Sequence, residues 1–106
     1  MSFKKDDTNK LRLELIDPDF INGVGAVLTF GAAKYEANNW KKAKSKENRE
    51  RIKGAMLRHQ MALMSGELID SDSGLHHAYH IATNAMFLAY HDLRDNEHEK
   101  QGVLNV

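Results

Sequence analysis

The run from Leu75 to His91 constrains the fold more than any other part of the chain, because it contains no Asp, Glu, Lys or Arg. Apolar residues occupy nearly every side of a helix built on this run, and such a helix usually lies at the centre of a bundle. Its polar residues would then be buried, and buried polar groups need partners. The run predicts a central helix from about Leu75 to Asp95.

Two further helices are predicted before it. Asp17 can cap the first, Pro18 suits the first helical position, and apolar residues then recur at helical spacing as far as Tyr35. The second is expected over about residues 47–65, with Gly66 ending or kinking it. Since no strand pattern or internal repeat stands out, we expect an all-α fold: a small helical bundle of three main helices plus short segments.

Length and composition indicate one domain over residues 1–106, with a charged arm at 1–14 and a mobile tail at 96–106. Lys and Arg together number 15, as do Asp and Glu, so bulk charge predicts no nucleic-acid partner. The start of the chain is too charged for a signal peptide, and no apolar run is long enough to span a bilayer. We therefore expect a soluble, cytoplasmic protein with no membrane partner.

Carboxylates and imidazoles are concentrated between Gly66 and His80, at spacings that can converge on one metal ion or phosphate. Glu67 and Asp70 would share a face if the helix continued through them, and paired carboxylates suit a hard divalent cation. The alternative is that Asp70 or Asp72 caps the third helix and Glu67 is solvated. This segment is the candidate active site.

Histidines on the flanking helices extend the candidate site. His77 and His80 are three residues apart, and Asn84 follows on the same stripe of an uncharged helix. This pattern favours a ligand or catalytic role over a purely structural role as core histidines with satisfied hydrogen bonds. His59, on the apolar face of the second helix, could join a metal shell or hydrogen-bond to a carboxylate.

A second cluster combines aromatic, amide and basic side chains. An aromatic ring beside amides and a lysine could stack a base and hold a phosphate, and an arginine could grip a phosphate. The alternatives are that Tyr35 and Trp40 close the core and that the basic residues are surface charges. The candidate ligand-binding residues are Lys10, Arg12, Lys34, Tyr35, Asn39, Trp40, Arg58 and Asn84.

These motifs follow one another in order over about residues 7–93. They are Asp7-x-x-Lys10-x-Arg12, Phe30-Gly31-Ala32-Ala33-Lys34-Tyr35 with Asn39-Trp40, Arg58-His59, Gly66-Glu67-x-x-Asp70-x-x-Ser73-Gly74, and His77-x-x-His80 with Asn84. The ordered set resembles the small phage-type domain found at the N-terminus of dATP/dGTP diphosphohydrolases. That domain is similar in fold and chemistry to the MazG-like all-α NTP pyrophosphohydrolases.

The resemblance implies hydrolysis of a purine nucleoside triphosphate to the monophosphate and pyrophosphate. MazG-like enzymes hold magnesium with a Glu-x-x-Glu pair and a later Glu-x-x-Asp pair. Glu67-x-x-Asp70 looks like the first pair, whereas His77-x-x-His80 stands where the second is expected. The expected cofactor is a divalent metal, magnesium or manganese first, with zinc, cobalt or iron as alternatives because imidazole favours them.

On this interpretation the metal ligands are Glu67, Asp70, His77 and His80. One of the two carboxylates, or His59, would help to activate the water that attacks the α-phosphorus. The basic residues of the second cluster would neutralise the triphosphate, and its aromatic residues would contact the base.

Two other functions remain open at this point. The chain could bind and sequester a nucleotide without cleaving it, or it could be a structural bundle whose histidines form a buried hydrogen-bond network. A homodimer or higher homo-oligomer is also expected, because the core is small and the third helix carries an alanine-rich stripe. That stripe consists of Leu75, Ala78, Tyr79, Ala82, Ala85, Met86, Ala89 and Leu93. If the chain is phage-encoded, it would act in the host cytoplasm.

Overall fold

Three α-helices build the fold in this computed structural model, which describes residues 3–6 and 8–95. The helices are α1 (Pro18–Lys34), α2 (Lys46–Met64) and α3 (His77–Arg94), with short 3-10 turns at Leu13–Leu15 and Asn39–Lys42. Helix α3 packs against both α1 and α2, as expected of a central helix. The all-α prediction is confirmed, whereas Asp7 and the predicted tail lie outside the described residues.

Helix α1 begins where its capping residues predict. The Asp17 carboxylate accepts a hydrogen bond from the backbone N–H of Phe20 at 3.2 Å, and Pro18 occupies the first helical position. Gly23 is the buried residue of this helix, and the Tyr79 ring of α3 lies directly against it. An added Cβ at Gly23 would lie 2.5 Å from that ring, so α1 docks onto α3 through the missing side chain.

Helix α2 ends before the acidic pair. Gly66 has a φ of 97°, and its N–H donates to the Leu63 carbonyl at 3.0 Å. The N–H of Glu67 donates to the Ala62 carbonyl at 3.0 Å. These two bonds form a Schellman motif, in which a left-handed residue stops the helix and satisfies its last carbonyls.

The prediction that Glu67 and Asp70 share a helical face is therefore wrong. Both residues lie in the connection between α2 and α3, which folds back on itself as a short antiparallel turn. The Asp70 N–H donates to the Leu75 carbonyl at 2.9 Å, and the His77 N–H donates to the Leu68 carbonyl at 2.9 Å. Because the helix has already ended at Met64, the two carboxylates are positioned by this turn.

Helix α3 begins at His77, two residues later than predicted, and its cap is His76. The Nδ1 atom of His76 accepts from the backbone N–H of Ala78 at 3.0 Å, so neither Asp70 nor Asp72 supplies the cap. Its buried residues in the described part of the chain are His77, His80, Thr83 and His91. The polar stripe of α3 thus faces inward, while Ala85, Ala89 and Leu93 are exposed.

Helices α2 and α3 run antiparallel, and a half-buried arginine fixes one end of the pair. Arg49 donates from Nη1 to Asp92 at 3.3 Å and to Asp95 at 3.1 Å, and from Nη2 to the His91 carbonyl at 3.5 Å. His91 in turn donates from Nε2 to the Trp40 carbonyl at 2.9 Å, which holds the second 3-10 turn against α3. The opposite end of the pair holds the candidate site.

The apolar core is small. Among the described residues, Ile52 is the buried hydrophobic side chain. None of the three helices combines the length and hydropathy that a membrane span requires.

Candidate active site

Two helices and the turn between them bring three metal-ligating side chains together. His59 comes from α2, Asp70 from the turn and His77 from α3, and one ligand atom of each lies within 4.8 Å of the others. The Nδ1 atoms of His59 and His77 are 2.8 Å apart. Two facing ring nitrogens can share only one proton at that distance, so a cation bound by both would replace that proton.

Glu67 contacts His77 at the ring nitrogen that does not face His59. The Nε2 atom of His77 donates to the Glu67 carboxylate at 2.7 Å, so its Nδ1 atom is left with a free lone pair directed at His59. A carboxylate that orients a ligating imidazole in this way fixes its tautomer and raises its basicity. Glu67, predicted as a direct metal ligand, lies outside the group of three in this conformation.

His80 is linked to Asp70 through Ser73. The Ser73 hydroxyl donates to Asp70 Oδ2 at 2.8 Å, and the Ser73 N–H donates to the same oxygen at 2.9 Å. Because the hydroxyl has only one hydrogen, it accepts from His80 Nε2 at 2.7 Å. The His80 ring stacks on His59 with centroids 4.3 Å apart and planes at 7°. His80, also a predicted ligand, therefore supports the group of three in this conformation.

The Asp70–Ser73–His80 chain is not a nucleophilic triad. In such a triad the imidazole lies between serine and carboxylate and takes the proton of the serine. Here the serine lies between the other two and already donates its proton to Asp70. Ser73 is therefore a structural link that aims Asp70 at the cluster.

Burial sets the charges of this cluster. It lowers the pKa of His59 and of His80 below the ordinary value of 6.5, and the neighbouring His80 lowers the pKa of His59 further. Burial acts to raise the pKa of Asp70, but the two hydrogen bonds from Ser73, together with the neighbouring His80 and His59, outweigh it and the net shift is downward. At neutral pH the imidazoles of His59 and His80 are neutral and the Asp70 carboxylate is ionised, the state that metal ligation requires.

An open cleft of about 800 Å³ leads away from the cluster. His59 and His80 line one part of it, and residues of α1, the second 3-10 turn, α2 and α3 form its walls. The walls are mainly apolar with a few polar groups, and the volume is in the range of small-molecule sites. The structure can thus place a ligand of nucleotide size with one end at the cluster.

Comparison with known proteins gives the same family as the motifs. A family profile described as "dATP/dGTP diphosphohydrolase, N-terminal" matches residues 2–101. The chain belongs to this family. A relative from Salmonella phage PMBT28, described as "dATP/dGTP diphosphohydrolase", is 40% identical over 84 residues, which cover 79% of this chain and 28% of the relative. No solved structure matches.

This member of the dATP/dGTP diphosphohydrolase N-terminal family thus spans little more than a quarter of the length of that relative. The cleft brings together part of the second predicted cluster, namely Lys34, Tyr35, Asn39, Trp40 and Asn84. The Nδ2 atom of Asn84 donates to the His80 carbonyl at 2.9 Å, which leaves its side-chain oxygen as an acceptor. The Nζ atom of Lys34 also lies 3.8 Å from a carboxylate oxygen of Asp72.

The two aromatic residues of the cluster differ in their packing. The Trp40 ring stacks on Phe87 with centroids 4.7 Å apart and meets Tyr90 edge-on with centroids 4.8 Å apart. This packing agrees with the alternative prediction that Trp40 closes the core. Tyr35 is 67% exposed at the edge of the cleft. Tyr35 is therefore the ring that is free to cover a ligand.

Three predicted phosphate contacts lie apart from the cleft in this family member. Lys10 and Arg12 are exposed in the N-terminal segment, where Arg12 pairs with Glu14 at 3.0 Å. Arg58 is exposed on α2 and is not a lining residue, although its charge acts on His59. A role for these three stays a prediction.

The structure adds two site residues that the sequence analysis did not select. Ser73 positions Asp70, and its sequence signal is the Asp-x-x-Ser turn spacing. Asn48 lines the cleft on the same side of α2 as His59. Its signal is the helical series Asn48, Ile52, Ala55 and His59, whose spacing of four, three and four marks one face.

Proposed function

We propose that this domain hydrolyses purine deoxynucleoside triphosphates to the monophosphate and pyrophosphate with a divalent metal. The observation that carries the proposal is the group of His59, Asp70 and His77 beside a mainly apolar cleft of nucleotide size. The name of the phage relative supports dATP and dGTP as substrates. The MazG-like motifs support cleavage at the α-phosphorus.

The donor set fits a divalent cation, since imidazoles and a carboxylate are ordinary ligands of manganese, cobalt, iron and zinc. His59, Asp70 and His77 would hold the ion, while Glu67 would orient His77 and His80 would support Asp70 through Ser73. A bound ion would neutralise and orient the phosphates. Magnesium prefers oxygen ligands, so we expect manganese to support the reaction at least as well.

The side chains around the cluster supply the remaining chemistry. Since His59 would hold the ion, the proton of the water that attacks the α-phosphorus passes to the Glu67 carboxylate, and the bond from the α-phosphorus to the bridging oxygen breaks as pyrophosphate leaves. Lys34, which lines the cleft, neutralises charge on the phosphates, and the Asn84 side-chain oxygen accepts from the sugar. Tyr35 covers the bound nucleotide.

A second candidate function is nucleotide binding without cleavage. Asp70 already accepts two hydrogen bonds from Ser73, and the His59–His77 bond closes the cluster in the absence of an ion. A cluster satisfied in this way could be purely structural while the cleft still binds a nucleotide. Such a protein would bind nucleotides equally well with a chelator present.

Purified protein incubated with each of the four dNTPs and Mn²⁺ tests the proposal. We expect monophosphate and pyrophosphate from dATP and dGTP, and a loss of about 10²-fold or more in kcat/KM for His77→Ala and Asp70→Asn. Asp19→Asn is the matched control, since Asp19 is exposed at the start of α1 and far along the chain from the cluster. Absence of monophosphate from every nucleotide, with metal present, would contradict the proposal.

A further inference from the structure

One face of α2 forms a continuous floor for the cleft. Asn48, Ile52, Ala55 and His59 all line it, and each is three or four residues from the next. Asn48 precedes His59 by about 16 Å along the helix axis, at 1.5 Å per residue. The cleft therefore has one end at His59, beside the group of three, and a distant end at Asn48.

The Asn48 side chain is a polar group without a protein partner. Its backbone N–H donates to Ser45 Oγ at 3.1 Å, as part of the helix cap. Its side-chain amide makes no hydrogen bond to any residue in the described ranges 3–6 and 8–95, although the residue is half-buried. A ligand can therefore hydrogen-bond to this amide without displacing a protein partner.

The stretch between the two ends is apolar. Ile52 and Ala55 form the floor, Leu28 of α1 and Phe87 of α3 form the sides, and Trp40 stacks behind Phe87. A sugar and a flat base fit such walls, because an aromatic base loses little on leaving water. A nucleotide with its α-phosphate at the cluster would therefore place the outer edge of its base near Asn48.

We propose that Asn48 reads the Watson–Crick edge of a bound purine, an inference that rests on the proposed function. Adenine presents an acceptor at N1 and a donor at N6 on this edge, and guanine presents the reverse pair at N1 and O6. An asparagine amide carries one donor group and one acceptor, and it matches either purine by rotating half a turn. One side chain thus accounts for acceptance of both dATP and dGTP.

The other polar residues near this end fit the role less well. Arg51 pairs with Glu47 at 3.2 Å and offers only donors, so it matches the O6 of guanine but has nothing for the N6 donor of adenine. Asn38 and Asn39 are exposed in the loop that follows α1. Asn48 combines a half-buried position in the cleft lining, an amide that no described residue engages, and a separation of about 16 Å from His59 along the helix axis.

Binding of α,β-methylene analogues of dATP, dGTP, dCTP and dTTP, with Mn²⁺ and by calorimetry, tests the inference whether or not the chain hydrolyses nucleotides. In Asn48→Asp a carboxylate can accept from guanine N1–H and N2–H but only from N6–H of adenine. We therefore expect the dGTP-to-dATP affinity ratio to rise about tenfold or more. Asp is also tolerated in a first helical turn, so the variant should fold.

Two further variants complete the experiment. Asn48→Ala should weaken binding of both purine analogues by about fivefold or more, with little change in their ratio. Asn22→Asp, the same chemical change at an exposed position of α1 away from the cleft, should alter nothing.

The outcomes separate the two proposals. Purine binding with an unchanged ratio in Asn48→Asp and unchanged affinities in Asn48→Ala would overturn the reading by Asn48 and leave the proposed function standing. If the purine analogues bind with the expected change in the dGTP-to-dATP affinity ratio, but dATP and dGTP give no monophosphate in the hydrolysis assay, hydrolysis is overturned and the role of Asn48 is supported. A wild-type chain that binds no purine analogue would overturn both.

Discussion

At the scale of single residues, burial and hydrogen bonds set the chemistry of the site. Ser73 gives two hydrogen bonds to Asp70, Glu67 accepts from His77, and each contact fixes one charge or one tautomer. Burial keeps His59 and His80 neutral by lowering the pKa of each below 6.5. These charges and tautomers suit the divalent cation of the proposed function.

The same pKa shifts predict how stability depends on pH. Unfolding returns His59 and His80 to the ordinary pKa of 6.5, so at acidic pH the unfolded chain binds more protons than the folded one. The free energy of unfolding that they contribute is fully present above 6.5 and is lost as pH falls through the lowered folded values. Asp70 acts in the same direction, but only below its ordinary pKa of 3.8.

Urea unfolding of the metal-free protein at about pH 7.5 and about pH 5.5 measures this dependence, and we expect lower stability at the acidic value. The His59→Gln variant lacks one of the two buried imidazoles and should lose less stability over the same interval. Equal or greater stability of the wild type at the acidic pH would contradict the assignment.

At the scale of elements, each helix boundary near the site has a local cause. The Schellman motif at Gly66 stops α2, and the turn from Asp70 to Gly74 reverses the chain so that α3 returns along α2. This reversal places His77 opposite His59. Helix α1 contributes to the cleft wall only because Gly23 lets it approach Tyr79.

Two glycines of α1 give a matched test of that docking. In Gly23→Ala the new methyl group would meet the Tyr79 ring at 2.5 Å, so we expect overpacking to cost about 1–3 kcal/mol in the free energy of unfolding. In Gly25→Ala nothing lies within 4 Å of the new methyl group. The higher helix propensity of alanine should therefore raise the free energy of unfolding by up to about 1 kcal/mol. Denaturant unfolding measures both, and equal effects would contradict docking through Gly23.

The sequence predicted the elements better than their mutual arrangement. Asp17 and Pro18 mark the start of α1, and the uncharged run from Leu75 to His91 identified the central helix with buried histidines. Both signals are local or periodic, so a sequence carries them. The helical pairing of Glu67 with Asp70 was wrong, because it required α2 to continue past Gly66.

The sequence could not predict which site residues form the group of three and which of them support that group. Whether His59 meets His77 or His80 through a ring nitrogen depends on the rotation of α3 about its axis and on the shape of the connecting turn. Both are products of tertiary packing. Asn48, in contrast, could have been found, because it shares the helical face of His59.

At the scale of the whole molecule, the described fold leaves much apolar surface uncovered. Leu57, Met61 and Met64 follow one another on one face of α2, and all three are exposed, as are the neighbouring Leu68 and Ile69. A monomer of this size seldom leaves such a face in water. The homo-oligomer expected from the small core stays a prediction, and this face of α2 is the surface that would serve it.

The central claim is that His59, Asp70 and His77 hold a catalytic divalent cation at the end of a nucleotide cleft. Anomalous diffraction from crystals soaked with Mn²⁺ and a non-hydrolysable dGTP analogue tests it most directly. We expect one strong peak within roughly 2.0–2.4 Å of the two imidazole nitrogens and the carboxylate oxygen, with the α-phosphate beside it. A bound nucleotide with no peak at these residues, or with its only peak elsewhere, would contradict the claim.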